Sequence, residues 1–122
     1  YYPDTQFTLV DSIGKKIKVV QAVAKSLGLS NVQAVQERME NMNLEADVVV
    51  SRAVAPAAKL IAFTRSNLKP KGRHIFIKGG DLSGEQREVS KKYGKGHWKE
   101  YPLTDWFDQD FFETKKLISY RP

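Results

Sequence analysis

Phe7-Thr-Leu-Val-Asp11-Ser12 decides the reading of this chain. Four residues suited to a strand run into a carboxylate. A strand of a nucleotide-binding βαβ unit ends this way when its Asp accepts hydrogen bonds from ribose hydroxyls. In such units a glycine-rich loop lies about 20 residues upstream of the acid. Only Tyr1 to Gln6 precede the strand here, too few to hold that loop. The chain therefore reads as the later part of a cofactor-binding domain without its first strand and loop. Tyr1, in place of Met, reads as a processed or trimmed start.

Downstream of Asp11, the residues Ile17, Val20, Ala24 and Leu27 fall at i, i+3, i+7 and i+10 and predict one helix with a single apolar stripe. Asp11 or Ser12 can cap it, and Gly28 is a natural stop. A short strand is expected at Val32 to Gln36. Ala46 to Ser51 reads as a continuous apolar strand of the kind buried on both faces. Pro56 opens a helix reaching about Asn67, with Leu60, Phe63 and Thr64 turned inward. Lys69 to Gly72 reads as a turn, Arg73 to Lys78 as a strand ended by Gly79-Gly80, and 83–93 as a polar helix. Trp98 to Leu103 and Lys115 to Tyr120 read as two closing strands joined only by a loop, so one of them must run antiparallel. The alternation predicts an α/β fold with a mostly parallel sheet and an antiparallel C-terminal hairpin. That is the Rossmann-like shape of S-adenosylmethionine (SAM)-dependent methyltransferases.

Bulk properties narrow the class. A length of 122 residues suits a single domain, and 41% hydrophobic with 28% charged residues excludes a disordered chain. No apolar run approaches the ~20 residues of a membrane span, so no membrane partner is expected. Cysteine is absent, which removes disulfides and thiolate metal sites and permits a cytoplasmic location. His74 and His97 are too few for a zinc site unless carboxylates join them, and no metal is expected.

The net charge of +6 is local. Between Lys69 and Lys99 stand nine Lys or Arg and three acids, so this segment carries the whole excess. A cationic surface there suggests an anionic partner, nucleic acid first, with a solvated Lys-rich face as the plain alternative. Lys71, Arg73, Lys91, Lys92 and Lys95 are its candidate RNA contacts.

Three stretches give a closer resemblance: Phe7-Thr-Leu-Val-Asp-Ser-Ile-Gly-Lys-Lys16, Leu27-Gly-Leu-Ser-Asn-Val32, and Val48-Val-Val-Ser-Arg-Ala-Val-Ala-Pro56. Leu68-Lys-Pro-Lys-Gly-Arg73 and Lys78-Gly79 extend it. At matching spacing these resemble the small-subunit ribosomal RNA methyltransferase family also called glucose-inhibited division protein B. The resemblance implies a SAM-dependent enzyme that methylates N7 of a guanine in 16S rRNA, acting on that RNA or on the small ribosomal subunit. It covers residues 1 to about 80 well and the remainder loosely.

Carried over by position, the resemblance gives Asp11 the ribose hydroxyls of SAM, with Ser12 beside it. Arg38-Met39-Glu40 matches the family's Arg-Ala-Glu against the adenine; Met39 departs from Ala, and Glu37 from Gly. Arg52 follows a strand at its carboxyl end and is the candidate nearest the chemistry, beside the cofactor carboxylate or a target phosphate. Lys78 is implied as an RNA phosphate contact on the same rim. For each residue a plain structural role stands alongside: a helix cap for Asp11, a dipole-favoured acid for Glu40, a salt bridge for Arg52, a solvated strand end for Lys78. Trp98, Trp106 or Phe107 could stack on a displaced base, or pack the final hairpin onto the sheet.

Guanine N7 has an in-plane lone pair and no proton, so its methylation needs no general base, and the sequence offers no acid–base dyad. Family members carry the missing strand in mid-sheet, between the Asp11 strand and the Val48 strand. Its absence leaves two edges that either pair with another copy of the chain or meet each other directly. Two other functions remain open on the residues alone: a non-catalytic basic α/β RNA-binding module, and a SAM-dependent enzyme for a small molecule.

Overall fold

The computed structural model describes residues 1–52 and 55–122, which form two compact units, Tyr1–Met42 and Asn43–Pro122. Residues 53 and 54, inside the Val48–Pro56 stretch, lie outside the described residues.

The first unit is one βαβ crossover. Strand β1 (Phe7–Asp11) pairs in parallel with β2 (Val32–Gln36), from Phe7 opposite Val32 to Asp11 opposite Gln36. Helix α1 (Gly14–Ser26) supplies the return that a parallel pair requires. Its end follows from sequence. Gly28 adopts φ 62°, the Gly28 N–H bonds to the Lys25 carbonyl at 3.1 Å, and the Leu29 N–H bonds to the Ala24 carbonyl at 3.0 Å. This is the Schellman arrangement that a C′ glycine allows. The apolar stripe is real but thinly covered: Ile17 is buried, Val20 and Ala24 are half-buried, and Leu27 is exposed.

The second unit holds a four-stranded sheet of order β3-β4-β6-β5. Its strands are β3 (Ala46–Arg52), β4 (Leu68–Gly79), β5 (His97–Pro102) and β6 (Lys115–Arg121). β3 and β4 are parallel, and β6 runs antiparallel between β4 and β5, as the closing hairpin requires. Helices α2 (Ala57–Thr64) and α3 (Ser83–Tyr93) supply the buried Ala57, Ala58, Leu60, Ile61 and Val89. These meet Phe76 of β4 and Ile118 and Tyr120 of β6. Strand alternation puts His74, Phe76 and Lys78 in phase, and all three are buried.

Three expectations change. Residues 69–72 do not turn between helix and strand; they belong to β4. The register nevertheless jumps there, since Ala46 faces Leu68 but Val48 faces Arg73, so these residues bulge out of the ladder. Gly72 is required in that bulge, because a Cβ would lie 2.9 Å from the Asp47 carbonyl oxygen and 2.6 Å from Leu68 Cδ1. The helix after Pro56 stops at Thr64 and tightens into a 3-10 turn, Arg65–Asn67. Finally, β3 is not buried on both faces. Val48 and Val50, 44% and 66% exposed, alternate with Val49 and Ser51, which share the face of His74 and Phe76. The strands make two sheets, β1-β2 in the first unit and β3-β4-β6-β5 in the second.

Candidate functional site

The carboxyl ends of parallel strands are where open α/β sheets bind ligands. In the first unit that end gathers five of the expected cofactor residues. Asp11 closes β1 opposite Gln36, the last residue of β2, and the Glu37 N–H bonds back to the Asp11 carbonyl at 3.2 Å. Ser12 follows directly, and Arg38, Met39 and Glu40 lie on the adjoining segment, where Met39–Asn41 is a 3-10 turn. Asp11 Oδ1 accepts the Ile13 N–H at 2.8 Å, while Oδ2 lies 3.5 Å from the exposed Lys16 ammonium. Asp11 thus shapes the turn into α1, and its second oxygen keeps only a loose partner. A ribose hydroxyl donating there would compete with Lys16 alone, so a carboxylate fits the sugar of a nucleoside cofactor.

Glu37, noted as a departure from glycine, has a definite role. Its Oε1 accepts the Arg38 N–H at 2.8 Å and the Asn41 amide at 2.9 Å. The Arg38 N–H, then Asn41, hold its carboxyl below the usual carboxylate range. The side chain replaces free backbone with a braced segment under Arg38 to Glu40.

In the second unit Arg52 ends β3, opposite Ile77, and is exposed with no ion pair among the described residues. Its guanidinium is free to meet an anion at the carboxyl end of β3. Lys78, implied as an RNA contact, departs from that expectation. It is 7% exposed; its Nζ donates to the Ala55 carbonyl at 2.9 Å and lies 2.8 Å from Glu85 Oε2. Being in phase with His74 and Phe76 sends it beneath the helices, so the ion pair is internal. Sequence reasoning missed Glu85, which also accepts the Ala57 N–H at 2.7 Å and so caps α2 from another helix. The sequence carried no clear signal for the pair, since Ile75 and Ile77 alternate with His74, Phe76 and Lys78 and either phase could face inward.

Lys71, Arg73, Lys91, Lys92 and Lys95 are all exposed. They lie toward the opposite end of the sheet from Arg52: Lys71 and Arg73 near the start of β4, Lys91 and Lys92 in the last turn of α3, and Lys95 just before β5. Of the aromatics, Trp98 packs on the core and donates to Glu100 Oε1 at 3.0 Å. Trp106 and Phe107 remain exposed on the loop between β5 and β6, which carries Asp105, Asp108, Asp110 and Glu113 and no cation. Among the described residues, no group of three or more His, Cys, Asp or Glu could hold a metal ion, and no helix is long and apolar enough to cross a membrane.

A βαβ unit with an acid at its strand end, and a sheet closed by an antiparallel last strand, define a SAM-dependent methyltransferase fold. Solved structures agree. A SAM-dependent methyltransferase from Aquifex aeolicus matches with a TM-score of 0.68 at 12% identity, over 94% of this chain and 68% of that one. TYW2 from M. jannaschii, solved in complex with AdoMet, gives 0.68 at 13% identity, over 95% and 57%. At such identities the likeness shows the fold alone.

The sequence is more specific. A family model described as rRNA small subunit methyltransferase G matches residues 1–106. Proteins named ribosomal RNA small subunit methyltransferase G are 42% identical in Flavobacterium psychrophilum and in a strain of Bacteroides fragilis; each match covers 96% of this chain, and 56% and 57% of those proteins. This chain belongs to the rRNA small subunit methyltransferase G family. It spans about half the length of the curated relatives it matches.

Proposed function

We propose that this chain is part of a SAM-dependent methyltransferase that acts on guanine N7 of 16S rRNA, free or in the small ribosomal subunit. The supporting observation is the family match across residues 1–106, with Asp11 at the carboxyl end of β1 beside the braced 37–41 segment. The bound SAM supplies an electrophilic methyl on a sulfonium. Asp11 would hold the ribose through Oδ2, with Ser12 alongside, and Arg38, Met39 and Glu40 would flank the adenine. Arg52 would balance an anionic group, either the cofactor carboxylate or a phosphate of the target. Because guanine N7 carries a lone pair and no proton, methyl transfer to it would require no residue of this chain to move a proton. The chain's task is alignment.

Both units form one methyltransferase domain on this reading, in the cytoplasm. The open edges of β1 and β3 take further strands of the whole protein or, in isolation, another copy of the chain. Transfer of labelled methyl from SAM to undermethylated 30S subunits and to free 16S rRNA tests the activity. Incorporation at a guanine N7 supports it, and incorporation only into small molecules overturns it. Isothermal titration of SAM shows whether this length of chain holds the cofactor by itself.

A further inference from the structure

Three cations of the second unit, Arg65, Lys69 and Lys92, line a groove of about 480 Å³ together with Leu68, Pro70 and Tyr93, among others. Two of them share one aromatic ring. The Arg65 guanidinium carbon lies 5.8 Å, and Lys92 Nζ 5.5 Å, from the Tyr93 ring centroid. Tyr93 is fixed by its hydroxyl, which donates to the Ala58 carbonyl at 3.0 Å. Lys69 is neutralised by Asp47 at 2.9 Å, whereas Arg65 and Lys92 have no carboxylate partner among the described residues. Two cations without a carboxylate partner, beside one fixed aromatic ring, suit a phosphodiester, with the exposed Pro70 and half-buried Leu68 offering apolar surface to its sugar.

The position of this groove sets its use. It lies where β4 begins and α3 ends, whereas Arg52 and Gly79 mark the other end of the sheet. The ladder from Arg73 to Gly79 separates the two by about 20 Å. At the far end, the loop between β5 and β6 carries four carboxylates, which repel a phosphate backbone. We propose that the Arg65–Lys92–Tyr93 groove binds an RNA phosphodiester and anchors the substrate at a distance from the methylated base. The inference rests on the RNA reading above and adds where the backbone is held. It implies a substrate long and folded enough to reach both ends of the sheet.

Filter binding of an unmodified 16S rRNA transcript to this chain, across a salt series, is the test. Arg65→Gln/Lys92→Gln leaves that phosphate without its cations, so the slope of log K on log salt falls by about 0.7–0.9 and binding weakens on the order of tenfold. Arg65→Lys/Lys92→Arg keeps the charge and the slope, and Lys59→Gln, on exposed α2 surface, leaves both measures unchanged. Circular dichroism verifies that each variant is folded. Binding by the parent chain with an unaltered slope in the Gln double variant overturns the groove and leaves the RNA reading standing. Failure of the parent chain to bind the transcript overturns both.

Discussion

Lys78 Nζ sits within 3.0 Å of both carboxylate oxygens of Glu85, and the same carboxylate takes the Ala57 N–H, so one ion pair ties β4, α3 and the start of α2 together. A lysine beneath two helices is costly to bury unless its charge is met. Lys78→Met leaves Glu85 facing apolar surface without its partner and should destabilise the protein by about 2 kcal/mol, less than for a fully buried pair because Glu85 is partly exposed. Lys78→Met/Glu85→Gln should recover part of that, since the amide oxygen still accepts the Ala57 N–H. Urea titrations of the three proteins decide it; a Lys78→Met variant as stable as the parent would remove the pair's structural role.

His74 makes stability fall in mild acid. The ring is fully buried, and desolvation lowers its pKa to about 4. The Thr64 hydroxyl donates to the Leu60 carbonyl at 2.8 Å and therefore accepts from His74 Nε2 at 2.9 Å, which leaves Nδ1 as the bare nitrogen. The unfolded chain takes up this proton near pH 6.5 and the folded protein only near 4. Stability is therefore intact above 6.5 and drops as the pH falls from 6.5 toward 4, by up to about 3 kcal/mol. Denaturation midpoints at pH 7 and pH 4.5 measure it, and His74→Gln should flatten this window.

The bulge at 69–72 depends on a residue without a side chain. Gly72→Ala forces a methyl against the Asp47 carbonyl and Leu68, a backbone contact that cannot give way as a flexible side chain can. A loss of about 1–3 kcal/mol is expected. A thermal midpoint equal to that of the parent would show that the bulge relaxes freely.

Asp11→Asn separates the two tasks of that side chain. The Asn oxygen can still accept the Ile13 N–H, so far-ultraviolet circular dichroism should be unchanged. The charge that favours ribose hydroxyls is gone, and SAM affinity should weaken on the order of tenfold. Calorimetry reads the affinity, and equal binding by both proteins would remove Asp11 from the sugar site.

Much of the fold was legible because it is local. The stripe on α1, the glycine that stops it, and the hairpin that reverses β6 are each written within a few residues. The exposure of Val48 and Val50 was not, since an all-apolar strand looks the same whether one or both faces are covered. Lys78 was misjudged for a related reason. Its neighbour Gly79 marks a strand end, but only the phase of His74 and Phe76 shows which way it points. Glu85 could not be paired with it from spacing, because that pairing joins a strand to a helix. Asp11 was legible as the residue that closes β1, because four strand-forming residues run directly into it.

The antiparallel insertion of β6 fixes an order of events. β5 has no ladder except with β6, and β4 loses one of its two neighbours without it. Residues 97–102 can therefore join the sheet only when residues 115–121 are free to pair with them. Until then the half-made sheet exposes the edge of β4 that β6 will cover, and an unpaired edge of that kind is open to misassembly.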